Sequence, residues 1–350
     1  MIRSRTCLLL TFALAFTGCK WARPVTYPIA PGVSASFTPS QLAPSEAYAK
    51  TFCSVLEHEF ANESWETCDK YVRMPQAHPP GTLDRIPPGW TLLRLGGFGA
   101  QCLADTAETF ADAGKHLEDV HGVPSPHVKL GAFDTTEQNA VRIRDFVATQ
   151  PASSRFIVVA HSKGAADMMV ALTTFPNELR QVRAIITVAG AVGGSWLVDR
   201  FQKLNQNLLS ELSLPTCVQP RAAGPNAIDS MRRTNRQAFL AQHEHLAVPA
   251  FSLSAVSTKE NTSKILRPLW DRVAPYAQEQ DSHIVEREAI VPGGTFLGRA
   301  LGDHWAVAVP FDPNDKVRPS ALRVIDKNRF PRPALVESAV RMALSSLKSQ

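Results

Sequence analysis

The chain has 350 residues, 44% hydrophobic and 20% charged, with a formal net charge of +5. That composition supplies ample material for a globular core and excludes a disordered or collagen-like chain. The charge is too mild for a nucleic-acid-binding surface, and no basic cluster with interleaved aromatics occurs.

In chain order, Met1 to Arg5 forms a positive region and Cys7 to Phe16 a short apolar core, too short to span a bilayer permanently. Residues 1–18 are therefore expected to be a signal segment. Phe16-Thr17-Gly18-Cys19 resembles a bacterial lipobox, where cleavage precedes a cysteine whose sulfur and new amino group are acylated. The alternative is ordinary secretion with cleavage nearby. The lipobox resemblance implies lipidation at Cys19 and membrane attachment through the N-terminus. With Lys20 next, it implies an outer-membrane protein facing the periplasm or the cell surface. Without Arg3 and Arg5 the formal charge falls to +3, from 35 basic and 32 acidic residues. Residues 19–43 hold several prolines and small polar residues and read as a tether.

Residues 44–87 read as an N-terminal helical extension, with helical periodicity from Ser45 to Val72. Besides Cys19, the exported chain would hold Cys53, Cys68, Cys102 and Cys217. Four cysteines in an exported protein read as a disulfide framework with three possible pairings. Cys53–Cys68, closing a local loop, and then Cys102–Cys217 are the expected pairs; buried free thiols are the alternative for the second.

Trp90 to Leu95 is the next strand, followed by the loop Gly96-Gly97-Phe98-Gly99-Ala100. Gly97-x-Gly99 begins a dinucleotide fingerprint, but Cys102 holds the third glycine position and no acidic strand end follows where it is needed. No Walker-type phosphate loop occurs, and His58-Glu59 lacks the second histidine of a zinc protease helix.

Phe156 to Val159 is an apolar run of the buried parallel-strand type. It stops at Ala160-His161-Ser162-Lys163-Gly164 and restarts as a helix with Met168, Met169 and Leu172 turned inward. A strand, a sharp turn with serine at its apex and a helix make a nucleophile elbow, which demands small residues two before and two after the serine. Ala160 and Gly164 meet that demand, and Ser162 is the candidate nucleophile.

A strand at Ala184 to Ala189 leads into an insertion at about 191–247. Its length exceeds a simple crossover. Two helices are expected there, Trp196 to Leu212 and Asn226 to Gln242, as a cap over the site with Leu208, Leu209, Leu212, Phe239 and Leu240 beneath it. The plainer alternative is a helical pair that packs on the sheet. Val248 to Val256 and Thr295 to Leu301 are the last two strands.

A serine hydroxyl needs an imidazole to take its proton and a carboxylate to orient that imidazole. In this architecture the acid follows the serine and the histidine comes last. Asp281 and His304 fall in loops beyond the last two strands and suit those roles. His283 is the rival base; His161 is expected to line the pocket or to pack, and His243 and His245 to lie on the surface. Glu279 and Glu286 are register alternatives for the acid, whereas Asp303 is expected to hold its own loop. The oxyanion needs two backbone amides. Lys163, opening the helix, and Phe98, in the glycine loop, are the candidates, with Gly97 second.

With the elbow Ala160–Gly164, the loop Gly96-Gly97-Phe98-Gly99 and the turn Gly302-Asp303-His304-Trp305, residues 88–345 resemble the α/β-hydrolase superfamily, specifically bacterial lipases and esterases. The resemblance implies an α/β fold with a mostly parallel eight-stranded sheet flanked by helices, and a cap insertion. It also implies a Ser-Asp-His mechanism through an acyl-enzyme, without cofactor or metal, on small-molecule or lipid carboxylic esters. An amidase, thioesterase or polyester depolymerase would use the same three residues. A surface lipoprotein that keeps the fold without catalysis is the reading from another class.

Overall fold

The computed structural model describes residues 42–74, 81–103, 107–200, 227–243, 245–311 and 325–348. The expected signal and tether therefore lie almost wholly outside the described residues. So does Cys217, and the expected Cys102–Cys217 pair with it.

Five strands, β1 (Thr91–Leu95), β2 (Phe156–His161), β3 (Val182–Val188), β4 (Ala250–Ala255) and β5 (Thr295–Ala300), form one sheet in that order. Every pairing is parallel. Each strand coincides with an expected one to within a few residues. The sheet of the described residues has five strands rather than eight. Beyond β1 the segment Val123 to Val128 nearly adds another: Leu92 and Arg94 donate to the carbonyls of Pro124 and Pro126, and Val128 donates to Arg94. Proline has no N–H, so this segment cannot complete a regular ladder.

The central strands carry apolar side chains on both faces because both faces are covered. Ile157, Val159, Ala184 and Ile186 point into one buried cluster. Helices α1 (Glu46–Glu59), α2 (Ala111–His121) and α8 (Arg332–Lys348) close that side, through side chains such as Phe52, Leu117 and Leu335. Phe156, Val158, Ala160 and Ile185 point into a second cluster, closed by α3 (Thr136–Ala148) and α4 (Lys163–Thr174). The result is three layers with the sheet in the middle.

Helix α1 starts where Ser45 Oγ accepts the Tyr48 amide at 3.2 Å and stops at Glu59, well short of Val72. A short 3-10 turn, Cys68–Lys70, follows, and a disulfide joins Cys53 to Cys68. Tyr48 and Phe52 are fully buried in the main core, so this extension is built into the domain.

The insertion departs from expectation. Helix α5 (Trp196–Arg200) begins where the first cap helix was expected, and Leu208, Leu209 and Leu212 lie outside the described residues. The second expected helix is broken into α6 (Ala227–Ser230) and α7 (Arg233–Gln242). At the break the Met231 carbonyl accepts the Ser195 amide at 3.0 Å, and Asn235 Nδ2 donates to the Asp229 carbonyl. Leu240 is buried with α4 side chains, and Phe239 packs against the same cluster. Those two residues therefore anchor α7 to the body of the protein and are not the underside of a cap.

Helices α2 and α8 are fastened by an ionic knot. Glu337 is fully buried; it pairs with His116 at 2.6 Å and with Arg341 at 2.6 Å, and His121 lies 3.2 Å away. Its partners outweigh burial and hold its carboxyl down to about 2. The depressed value means this stabilisation is full above the ordinary carboxyl range and is lost as pH falls from there towards 2. Glu337→Gln leaves Arg341 without its counter-charge and is expected to cost about 3 kcal/mol at neutral pH. Urea unfolding of both proteins at pH 7 measures it; equal midpoints would contradict the assignment.

Candidate active site

The turn from β2 to α4 sets Ser162 at φ 54°, ψ −125°, a backbone conformation that residues with a Cβ seldom adopt. Small neighbours make it possible. A Cβ at Gly164 would lie 2.5 Å from the Gly96 carbonyl oxygen, and one at Gly97 would lie 2.7 Å from Ser162 Cβ. The glycine loop after β1 therefore sits directly against the serine, and the two loops predicted to supply oxyanion donors converge. Among the described residues neither the Phe98 nor the Lys163 amide donates to a backbone carbonyl.

The loop after β4 delivers Asp281 and the turn after β5 delivers His304. His304 Nε2 lies 2.9 Å from Ser162 Oγ, and His304 Nδ1 lies 2.8 Å from Asp281 Oδ2. Asp281 Oδ1 accepts the amides of His283 and Ile284 at 2.9 and 2.7 Å, which fixes the carboxylate. With an ionised carboxylate on its Nδ1 side, the neutral imidazole carries its proton there and offers a bare Nε2 to the serine. All three residues are buried; Ser162 retains 7% exposure and Asp281 none.

Burial sets the charges. It pulls His304 down to about 3, so the ring is neutral at pH 7. It pushes Asp281 up to about 6, against the pull of the neighbouring His283 ring and the two amides, so the carboxylate is ionised above that value.

The remaining sequence candidates lie around these three residues or in the adjoining loops and helices. Asp303 holds its loop: Oδ1 accepts the Trp305 and Ala306 amides and Oδ2 that of Ser263. Glu279 pairs with Arg73, and Glu286 with Arg299. His245 is exposed, and His243 stacks on Phe239. His283 does not reach the serine in place of His304. Its ring lies flat against that of His304, 4.4 Å between centroids and 14° from parallel, with Nδ1 bonded to Ser282 Oγ. His161 Nε2 meets the His304 carbonyl at 2.9 Å and must donate to it, which ties the elbow to the turn after β5. Neither contact was legible from residue spacing, since both depend on which way a ring turns off the backbone.

Asp281, His283 and His304 also bring ligand-type atoms within 4.8 Å of one another. Both His304 nitrogens are already engaged, by Asp281 and Ser162, which leaves that ring no free nitrogen to offer a cation. The cleft above Ser162 is lined by Phe98, Val198, Met231, Ile284, Trp305 and Val309, with no Asp, Glu, Lys or Arg among its described lining residues. Val198 and Met231 come from the insertion, which thus contributes to the pocket through residues other than those expected.

The parallel sheet between two helical layers, with this turn after its second strand, is an α/β-hydrolase fold. No protein-family model and no curated protein matches the sequence. Among solved structures, a metagenomic carboxyl esterase is similar with a TM-score of 0.73 and 29% identity, over 88% of this chain and 98% of its own. A Bacillus licheniformis lipase in mature form is more distant, with a TM-score of 0.49 and 16% identity over 63% of this chain and 87% of its own. The likeness to the carboxyl esterase supports an ester hydrolase of the α/β-hydrolase superfamily.

Proposed function

We propose that the protein is a serine hydrolase of uncharged carboxylic esters, with Ser162 as nucleophile, His304 as general base and Asp281 as its orienting partner. The observation that carries this reading is the unbroken relay from Asp281 through His304 to Ser162. Ser162 Oγ attacks the ester carbonyl carbon as its proton passes to His304 Nε2, and Asp281 offsets the charge gained by the ring. The carbonyl oxygen becomes an oxyanion facing the Phe98 and Lys163 amides, each such donor being worth on the order of 3 kcal/mol of barrier. His304 then protonates the departing alkoxide, and water releases the acyl group from Ser162 by the same steps. None of the cleft's described lining residues is Asp, Glu, Lys or Arg, which favours an uncharged acyl group, since an ionic one would lose its hydration without a partner. Hydrolysis of p-nitrophenyl esters of graded acyl length tests this; no turnover of any member would overturn it.

The charge states predict the pH profile. Activity needs Asp281 ionised and His304 neutral, and the first proton that the pair takes up as pH falls ends that state. Because the pair is coupled, it titrates as a unit. The expected kcat/KM is level above neutrality and declines as pH drops through about 6. Initial rates between pH 4 and 9 on a neutral ester measure it, and a rate undiminished at pH 4 would contradict the assignment.

The proposed setting is the bacterial outer membrane, with Cys19 acylated. This rests on the charged start, the short apolar core and Phe16-Thr17-Gly18-Cys19. Cells fed labelled palmitate are expected to incorporate it into the wild-type protein and not into Cys19→Ser, with the wild type in the membrane fraction. Unlabelled wild-type protein in the soluble periplasm would mean ordinary secretion.

A further inference from the structure

Lys163 is a conspicuous residue beside a nucleophile, because its side chain never reaches the cleft. It is 1% exposed and folds back along α4, with Nζ 2.6 Å from Asp167 Oδ1. Asp167 is equally buried, and its other oxygen accepts from Asn139 Nδ2 at 2.8 Å. Asn139 belongs to α3, a helix started by a reciprocal cap between Thr135 and Gln138. It spans the gap to the loop before that helix: its Oδ1 accepts the Gly131 amide at 2.8 Å and its Nδ2 meets the Gly131 carbonyl at 3.4 Å.

That loop is the support of the oxyanion segment. The Ala132 carbonyl accepts the Gly99 amide at 3.1 Å, one residue beyond Phe98. The Phe133 ring meets the Phe98 ring edge-on, with centroids 5.4 Å apart. The Phe133 carbonyl accepts the Ala227 amide of α6. A continuous chain of contacts thus runs from the helix that presents one oxyanion amide to the loop that presents the other.

Resting on the function proposed above, we infer that Asn139 is a positioning residue. Through Asp167 and the Gly131–Phe133 loop it holds the Phe98 amide at the spacing from the Lys163 amide that a shared oxyanion requires. Asparagine is the side chain that suits the place. It must donate to a carboxylate on one side and accept from an amide on the other. Aspartate would set two carboxylates against each other, and an apolar residue would strand both Asp167 and the Gly131 amide. The buried Asp167 carboxylate is offset by its ion-pair partner Lys163, and the charge of the buried Arg236 also favours its ionised form.

The test compares wild type with Asn139→Ala and Phe133→Leu, using p-nitrophenyl butyrate and an alkyl trifluoromethyl ketone. The ketone reports on the oxyanion site: Ser162 Oγ adds to its carbonyl carbon, the oxygen takes the electron pair, and His304 takes the serine proton. For Asn139→Ala the expected result is a fall in kcat of about tenfold to a hundredfold, part of what a lost donor costs, with KM within about twofold. Ketone affinity is expected to fall by a similar factor, since it and kcat report the same charge stabilisation. A lowered melting temperature with wild-type kcat and ketone affinity would reduce Asn139 to a structural role and overturn the inference. Should Asn139→Ala fail to fold, half-buried Phe133→Leu decides: it loosens Phe98 without touching the polar chain, and smaller falls in both quantities support the inference, while none overturns it. A wild-type protein inert toward both ester and ketone would instead overturn the underlying function.

Discussion

Replacing Ser162 with alanine is expected to remove ester hydrolysis, by about a millionfold in kcat, while leaving the fold intact. The change deletes one oxygen from the apex of the elbow and opens no apolar cavity. It also leaves the Ser162 backbone bonds in place, namely its amide to the Val188 carbonyl and its carbonyl to the Ala165 and Ala191 amides. What disappears is the atom that bonds to the acyl carbon, for which water held in the cleft is a poor substitute. Initial rates and the thermal melting curve together make the measurement. Retained turnover in a well-folded variant would place the nucleophile elsewhere.

The second large effect separates two stacked histidines. His304→Ala is expected to lower kcat by about four to six orders of magnitude, because the serine then lacks a proton acceptor and Asp281 lacks its partner. His283→Ala is expected to cost far less, about tenfold, through loss of the flat ring contact that steadies His304. The two rings are stacked face to face and both are buried, so a loss of packing alone would affect the variants similarly. The Ser162 Oγ contact belongs to His304 alone. A pair of variants with reversed losses would make His283 the base.

Much of this site could be read from residue order because its parts sit at strand ends. The β2 strand is a short apolar run with both faces covered, and the other strands, though broken by residues such as Arg94, Arg183, Ser252 and Arg299, stay rich enough in apolar residues to stand out. The residues just beyond them, Gly96–Gly99, Ser162, Asp281 and His304, then gather at the C-terminal edge of a parallel sheet wherever the helices pack. The edge of the sheet was harder to read, since Pro124 and Pro126 disguise a segment that runs as a strand but lacks its donors. The second helix of the insertion was misread for a related reason. Residues 226–242 carry helical periodicity throughout, yet tertiary bonds at Met231 and Asp229 divide them, and that competition leaves no local signal. The Lys163–Asp167–Asn139 chain was invisible because it joins residues 28 apart through side-chain direction alone. Spacing shows Lys163 as a neighbour of the nucleophile, not as the buried end of a brace.

The most direct test of the central claim is a fluorophosphonate probe applied to the purified protein, followed by proteolysis and mass spectrometry. Attack by an activated serine displaces fluoride and leaves a stable phosphonyl ester, so the adduct records which oxygen is nucleophilic without any assumption about the natural substrate. The account predicts one adduct, on the peptide containing Ala160-His161-Ser162-Lys163-Gly164, formed rapidly by wild type and very slowly by His304→Ala. An adduct on another residue, or no adduct on folded wild-type protein, would contradict it.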